Sequence, residues 1–312
     1  MRILVLGKDG QLGRCLLASL SPLGEVIGLG SSEVDLRQVR LLRDVVREVF
    51  PDLVVIAAAY TAVDRAESDV ETAMAINAAA PGVLAEEAER IGAGVIHYST
   101  DYVFDGLSRR PYREEDSPNP LSTYGESKLL GERAIQATGA AHLILRVGWL
   151  YGSRGGNFFT TMLRLARERD VLQIVDDQII GPTWVKWVAG ATASILLRID
   201  QTVPHAVSNS LRQRGGLYHF VSMGQTTPFR FAQSILRRDP WASEHRVQRL
   251  EEIRLDEYVA PAARPQFCVL DSFKAEDQLG VQRTSWEGQL GECWAAVSAD
   301  DSASFREASP AP

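Results

Sequence analysis

The chain has 312 residues, of which 45% are hydrophobic and 23% charged, so it is long enough to bury a substantial core. A net charge of −7 and an isoelectric point near 5.4 disfavour nucleic acids and anionic membrane surfaces as partners. No run approaches the ~18 apolar residues of a membrane span, and three scattered cysteines fit a reducing cytosol better than secretion. We therefore expect a cytoplasmic protein without a nucleic-acid or membrane partner.

The chain begins with a strand, a glycine-rich turn and a helix. An apolar run at residues 2–6 leads into the glycine turn, Gly7-Lys8-Asp9-Gly10-Gln11-Leu12-Gly13, and a helical pattern follows. A helix that starts at such a turn can present its free N–H groups to a pyrophosphate. The spacing G-x-x-G-x-x-G departs from the G-x-G-x-x-G fingerprint, and tight turns also need glycine for structural reasons. The position at the first strand-to-helix junction favours a dinucleotide site.

Short apolar runs then alternate with longer amphipathic stretches. The runs lie at residues 26–29, 53–59, 94–99 and 142–147. This alternation predicts an α/β fold with a doubly wound parallel sheet. We predict a dinucleotide-binding domain at residues 1–150.

Beyond residue 150 the alternation is less regular. Helical patterns occupy residues 158–168 and 184–198, and a strand-like run occupies 217–221. We predict that residues 151–298 form mainly a substrate-binding lobe, interleaved with late elements of the sheet. Residues 299–312 have too little apolar surface to order themselves, and we expect a disordered tail.

A polar pair marks the segment after residue 120. A stretch at 105–120, rich in Pro, Arg, Glu and Asp, indicates a surface loop or flap. In the helix that follows, four-residue spacing puts Tyr124 and Lys128 on one face. A cation beside a phenol lowers its pKa and makes it a better general acid. A polar helix start is the alternative, since this short pattern often occurs by chance.

A further candidate site follows the run at residues 94–99. That strand should deliver Thr100 and Asp101 to the carboxyl edge of the sheet, where ligands bind in open α/β folds. Thr100 can hydrogen-bond a substrate oxygen, although local capping is the commoner role of such a residue. We interpret His97 as a simple strand residue. The other histidines have no metal-like company, so we predict no metal site.

Five motifs occur in one order along the chain. They are the glycine turn, Ala57-Ala58-Ala59-Tyr60-Thr61-Ala62-Val63-Asp64, His97-Tyr98-Ser99-Thr100-Asp101-Tyr102-Val103-Phe104, Tyr124-Gly125-Glu126-Ser127-Lys128 and Gly216-Leu217-Tyr218-His219. Together they resemble the extended short-chain dehydrogenase/reductases, and most closely the dTDP-4-dehydrorhamnose reductase family. The similarity continues through Arg146 to Tyr151, Gly156-Asn157-Phe158, Asp176-Asp177-Gln178 and Arg264-Pro265, so it covers most of the chain.

This resemblance implies a Rossmann-type fold and reduction of the C4 ketone of a nucleotide-linked 4-keto-6-deoxy sugar. Tyr124 would protonate the developing alkoxide, Lys128 would lower the Tyr124 pKa and hold the nicotinamide ribose, and Thr100 would polarise the ketone. The residues implied at the cofactor are Gly7, Gly10, Gln11, Leu12, Gly13, Asp35, Leu36, Ala59, Tyr60, Thr61, Tyr98, Tyr124 and Lys128. Those implied at the substrate are Thr100, Asp101 and Trp149. Trp149 fits an aromatic core position equally well.

The choice of cofactor depends on the end of the second strand. NAD-specific sites usually place a carboxylate there to bind the ribose 2′-OH. Gly30 carries no charge, and Ser31 and Ser32 can hydrogen-bond a 2′-phosphate. The alternative is that Glu33 or Asp35 reaches the ribose. We predict a preference for NADPH, with NADH as the alternative.

Two other functions stay open at this stage. A related enzyme would reduce a different nucleotide-linked keto sugar, because the fold does not fix the substrate. A non-catalytic nucleotide-binding subunit could dispense with the proton-transfer residues, and their presence argues against it. The resemblance also implies magnesium-bridged dimers, formed through acidic side chains, in some relatives, but Cys15 and Lys186 stand at those places here. We therefore expect a monomer or a weak homodimer.

Overall fold

The computed structural model describes residues 1–199 and 205–299, and its centre is a parallel sheet. The strands are β1 (Arg2–Leu6), β2 (Glu25–Leu29), β3 (Leu53–Ile56), β4 (Gly94–Thr100), β5 (His142–Val147), β6 (Leu150–Tyr151), β7 (Val171–Val175), β8 (Thr183–Trp184), β9 (Gly216–His219) and β10 (Arg249–Ile253). Six of them form one sheet in the order β2-β1-β3-β4-β5-β9, with every pairing parallel. In the described residues, β7 also pairs with β10 and β6 with β8. The predicted α/β class is confirmed.

Helices connect and cover these strands. They are α1 (Gln11–Leu20), α2 (Val39–Val49), α3 (Val63–Ala66), α4 (Val70–Met74), α5 (Ala80–Ile91), α6 (Thr123–Ala137), α7 (Phe158–Glu168), α8 (Val185–Leu197), α9 (Ala206–Arg214), α10 (Pro228–Arg237), α11 (Phe273–Leu279) and α12 (Trp286–Ala299). A π-helical turn, Ala75–Ala79, joins α4 to α5. None of the helices in the described ranges combines the length and the apolar composition that crossing a membrane requires.

Strand β1 shows why the sheet is covered on both faces. Successive side chains of a strand point to opposite faces. Ile3 and Val5 therefore pack in one core cluster with α1 and α8, whereas Leu4 and Leu6 pack in another with α2, α5 and α6. Four buried residues in a row are typical of a parallel strand covered by helices on each side.

A second core lies in the C-terminal part of the chain. Leu163 of α7, Ile235 of α10 and Leu290 of α12 are buried in one cluster with residues of β7. The same part of the chain also returns to the main sheet, since α8 packs on α1 and β9 forms an edge strand. The division of the chain at residue 150 stays a prediction.

Some boundaries differ from those that the sequence predicts. The run at 53–59 leaves the sheet after Ile56, and the chain then passes close to the glycine turn, where a Cβ on Gly7 would lie 2.6 Å from Ala58 N. The last strand of the main sheet is Gly216–His219 rather than 217–221. Of the predicted tail, Ala299 ends α12, and residues 300–312 lie outside the described residues.

Candidate active site

A cleft of about 940 Å³ opens at the carboxyl ends of the strands of the main sheet. Of the residues predicted to contact cofactor or substrate, those that line it are Gly7, Gly10, Gln11, Leu12, Asp35, Leu36, Ala59, Tyr60, Thr61, Tyr98, Thr100, Asp101, Tyr124, Lys128 and Trp149. The ends of parallel strands meet at one edge of the sheet, and this brings together residues more than a hundred positions apart.

Gly13 is the exception, because it lies behind the cleft wall. A Cβ on Gly13 would lie 2.0 Å from the carbonyl oxygen of Gly7. Gly13 therefore lets α1 pack against the turn, and its contact with the cofactor stays a prediction. Position 7 also requires glycine, because its φ is +93°, in addition to the close approach of Ala58 described above.

The N-terminus of α1 fits a pyrophosphate group. Gly10 is the N-cap residue and no side chain caps the helix, so the N–H groups of the first turn are free to bind an anion. The Gln11 side chain is already engaged, since its Nε2 donates to Gly156 O at 3.2 Å and its Oε1 accepts from Asn157 Nδ2 at 2.9 Å. Gln11 is therefore available to a ligand chiefly through its backbone.

The cleft lining beside Gln11 contains residues that the sequence did not single out as contacts. Gly155, Gly156 and Asn157 line the cleft just before α7. Asn157 caps α7 in a reciprocal capping box with Thr160. An Asn three residues before Thr at the start of an apolar helix is a readable cap signal. Its place beside Gln11 depends on the fold and has no local signal.

Helix α6 carries the polar pair into the cleft. The Ser122 side chain caps the helix by accepting from Gly125 N at 3.2 Å. A Cβ on Gly125 would lie 2.2 Å from Tyr102 O, so only glycine allows α6 to approach the turn after β4 this closely. This approach places Tyr124 and Lys128 on the cleft side, beside Thr100.

The Lys128 side chain is buried and held in place from β4. It is 1% exposed, donates to Tyr98 O at 2.6 Å, and its Nζ lies 3.2 Å from His97 Nε2. Burial lowers the pKa of Lys128 to about 8, against the opposing effect of the Glu132 carboxylate. His97 is thus more than the simple strand residue that the sequence predicted.

The pKa of Tyr124 moves opposite to the predicted direction. Burial raises it to about 12, and the neighbouring Thr100 hydroxyl only partly opposes this. The Lys128 ammonium, the expected cause of a lower pKa, is instead directed to Tyr98 O and His97. The expected lowering by Lys128 is therefore wrong for this state of the protein, in which Tyr124 is a phenol at neutral pH.

Thr100 and Asp101 form a local pair at the end of β4. Thr100 Oγ1 donates to Asp101 Oδ1 at 3.0 Å and accepts from Tyr102 N at 3.2 Å. Asp101 is 3% exposed, and its Oδ2 has no hydrogen-bond partner. Burial raises the pKa of Asp101 to about 7. Thr100 therefore caps the turn that follows β4 and also lines the cleft.

Trp149 occupies the wall between the main sheet and the C-terminal part of the chain. Its ring is half-buried and packs edge-on against Phe158 at 5.3 Å between centroids. Its φ of +42° is unusual for an aromatic residue. Trp149 is thus a packed aromatic residue that also lines the cleft, and its contact with the substrate stays a prediction.

No metal centre is present in the described ranges. No group of three or more His, Cys, Asp or Glu residues there has the geometry to hold an ion. The three cysteines are free thiols, and Cys268 and Cys293 are buried.

The fold and the cleft together define a class of protein. A glycine turn at the first strand-to-helix junction lines the same cleft as Thr100, at the end of β4, and a helix whose tyrosine and lysine are four residues apart. This is the arrangement of the extended short-chain dehydrogenase/reductases.

Comparisons with known proteins specify the class further. The family model for the RmlD substrate binding domain matches residues 1–299. A dTDP-4-dehydrorhamnose reductase of Burkholderia thailandensis is 42% identical over 302 residues, covering 94% of this chain and 98% of the relative. The same enzyme of Escherichia coli K12 is 38% identical, covering 92% and 95%. A crystal structure of the Bacillus anthracis enzyme in complex with NADP has a TM-score of 0.83 at 30% identity, covering 95% and 99%. The chain belongs to the dTDP-4-dehydrorhamnose reductase family, as the five motifs predicted.

Proposed function

We propose that the protein reduces the C4 ketone of dTDP-4-dehydro-L-rhamnose to give dTDP-L-rhamnose, using NADPH. The observation that carries this proposal is the meeting of Thr100, Tyr124 and Lys128 in one cleft with the free N-terminus of α1. The names of the relatives supply the sugar, and the Bacillus anthracis enzyme in complex with NADP supplies the cofactor. A non-catalytic nucleotide-binding subunit would not need this proton-transfer group.

Each residue of the group has a separate task. The nicotinamide cofactor, when bound, supplies the hydride that reaches C4. Tyr124 gives its hydroxyl proton to the ketone oxygen, so the carbonyl becomes a secondary alcohol. A pKa of about 12 keeps Tyr124 protonated before the reaction, as a general acid requires. Thr100 orients the ketone, and Lys128 holds the cofactor ribose beside Tyr124.

The test is a panel of nucleotide-linked 4-keto sugars, monitored by loss of reduced-nicotinamide absorbance. We expect the highest kcat/KM for the dTDP-linked 4-keto-6-deoxy-mannose. A clearly higher kcat/KM for another nucleotide sugar would contradict the proposed substrate and keep the reductase class. Sedimentation of the active protein would test the proposed monomer or weak homodimer.

The nucleotide should contribute strongly to turnover. Binding energy from a remote part of the substrate positions the reacting ketone. The same 4-keto sugar without its nucleotide should therefore show a kcat/KM more than about tenfold lower, a loss of at least about 1.4 kcal/mol. Steady-state rates with both compounds measure this. Equal values of kcat/KM would exclude a nucleotide-binding substrate site.

Activity should fall at alkaline pH because of Lys128. Its ammonium is present below its pKa of about 8 and is lost as the pH rises through that value. Lys128→Met should lower kcat by at least about tenfold, about 1.4 kcal/mol of transition-state stabilisation, and should lack the alkaline fall in kcat/KM.

A matched control is Lys274→Met. Lys274 also donates to a strand carbonyl, Leu217 O at 2.8 Å, but lies outside the cleft. Its replacement should leave the pH profile unchanged. If the Lys128 variant kept the same alkaline pKa, that ionisation would belong to another group.

A further inference from the structure

A carboxylate from the glycine turn, that of Asp9, lies beside the end of β2. In Rossmann-type sites an acidic residue at this place usually hydrogen-bonds the ribose 2′-OH of NAD. Here the position is Gly30, and a Cβ built on it would lie 1.9 Å from Oδ2 of Asp9. The Asp9 carboxylate therefore fills the space that a side chain at position 30 would need. Asp9, Gly30 and Ser31 line the same cleft.

Backbone hydrogen bonds fix the glycine turn against β2. Leu29 O accepts from Gly7 N at 2.8 Å and from Lys8 N at 3.2 Å. The residue that follows, Asp9, is thus held beside the end of β2. Its exposed carboxylate needs no rearrangement of the backbone to face a ribose bound there.

The charges around Gly30 disfavour a further anion. Glu33 Oε2 accepts from Gly30 N at 2.8 Å, and the Lys8 ammonium pairs with the Glu33 carboxylate and holds its pKa at about 2. Two cations of this region are already paired, since Arg37 pairs with Asp35 at 2.8 Å and Lys8 pairs with Glu33. A 2′-phosphate at this place would meet the Asp9 carboxylate without a free cation from Lys8 or Arg37.

We propose that Asp9 is the acidic residue that accepts the hydrogen bond of the adenosine ribose 2′-OH and thereby limits the preference for NADPH. This inference depends on the proposed function, because it concerns the same cofactor site. The sequence predicted an NADPH preference from the uncharged Gly30. The Asp9 carboxylate opposes that preference, so the protein uses NADH as well as NADPH.

The test measures Kd for NADH and for NADPH by fluorescence titration, without substrate. Asp9→Asn should lower the ratio of Kd for NADPH to Kd for NADH by about five- to tenfold, since it removes a like charge near the 2′-phosphate. This change should shrink at high salt, because exposed charges are screened.

Two matched variants separate the alternatives. Asp277→Asn removes the same charge from an exposed site on α11 and should leave the ratio unchanged. Glu33→Gln releases the Lys8 ammonium as a cation for a 2′-phosphate, so it should lower the ratio through Kd for NADPH and leave Kd for NADH unchanged, whereas Asp9→Asn should also raise Kd for NADH. If Asp9→Asn behaves like Asp277→Asn, or if it leaves Kd for NADH unchanged, the assignment of Asp9 is overturned while the reductase proposal stands. If the wild-type protein binds neither cofactor, both fail.

Discussion

Tyr124→Phe should lower kcat by about 10²–10⁴-fold, the usual contribution of a general acid, while the Kd for the cofactor changes little. The substitution removes the transferable proton and almost no volume. Tyr124 is beside Thr100 in the cleft, and its pKa of about 12 means that the proton is present throughout the neutral range. Steady-state kinetics and cofactor titration of the same preparation measure both quantities.

A neighbouring phenol provides the control for this prediction. The Tyr102 ring packs edge-on against Tyr124 at 5.9 Å between centroids. Tyr102→Phe should keep most of kcat, because Tyr102 follows the Thr100–Asp101 pair and is not among the residues that line the cleft. If Tyr124→Phe retained the wild-type kcat, or if Tyr102→Phe lost as much, the proton donor would be a group other than Tyr124.

Glu132→Gln should destabilise the fold by about 3–5 kcal/mol, the usual cost of leaving one partner of a buried ion pair alone. Glu132 and Arg146 are each 2% exposed and form a bidentate pair with distances of 2.7 and 2.9 Å. Ser99 also donates to the Glu132 carboxylate, so this group joins β4, β5 and α6 beneath the catalytic residues. The neutral amide would leave the Arg146 guanidinium as an unpaired buried charge.

Denaturant unfolding of purified variants measures this loss. The control is Glu168→Gln, which breaks an exposed ion pair with Arg164 at 2.7 Å on α7. An exposed pair of this kind contributes less than about 1 kcal/mol. Equal unfolding midpoints for the Glu132 and Glu168 variants would show that the buried pair does not stabilise the fold.

The pKa values of Tyr124 and Lys128 show where reasoning from spacing ends. Four-residue spacing on a helix places both residues on one face, and the structure has them lining one cleft. The spacing does not show which other groups contact the Lys128 ammonium. In the structure two groups of β4 do so, Tyr98 O and His97. Their contacts direct the ammonium toward β4, and burial then dominates the pKa of the phenol.

Local patterns in the sequence were sufficient for the sheet, the glycine turn and the catalytic helix. Apolar runs of four to seven residues, glycine at the first junction and the four-residue spacing of Tyr124 and Lys128 act over a few neighbouring residues, so they can be read without knowing the fold. The order of the five motifs added the family, which the comparisons confirm.

Only the tertiary structure decided which distant residues share a surface. It joins β9 to the edge of the main sheet, puts His97 against Lys128, removes Gly13 from the cleft wall and places the Asp9 carboxylate over Gly30. Each of these features depends on residues that are far apart in the sequence, or on two backbone segments that lie very close together. Burial, close approach and charge pairing are properties of the assembled fold, and for this reason the sequence alone could not predict them.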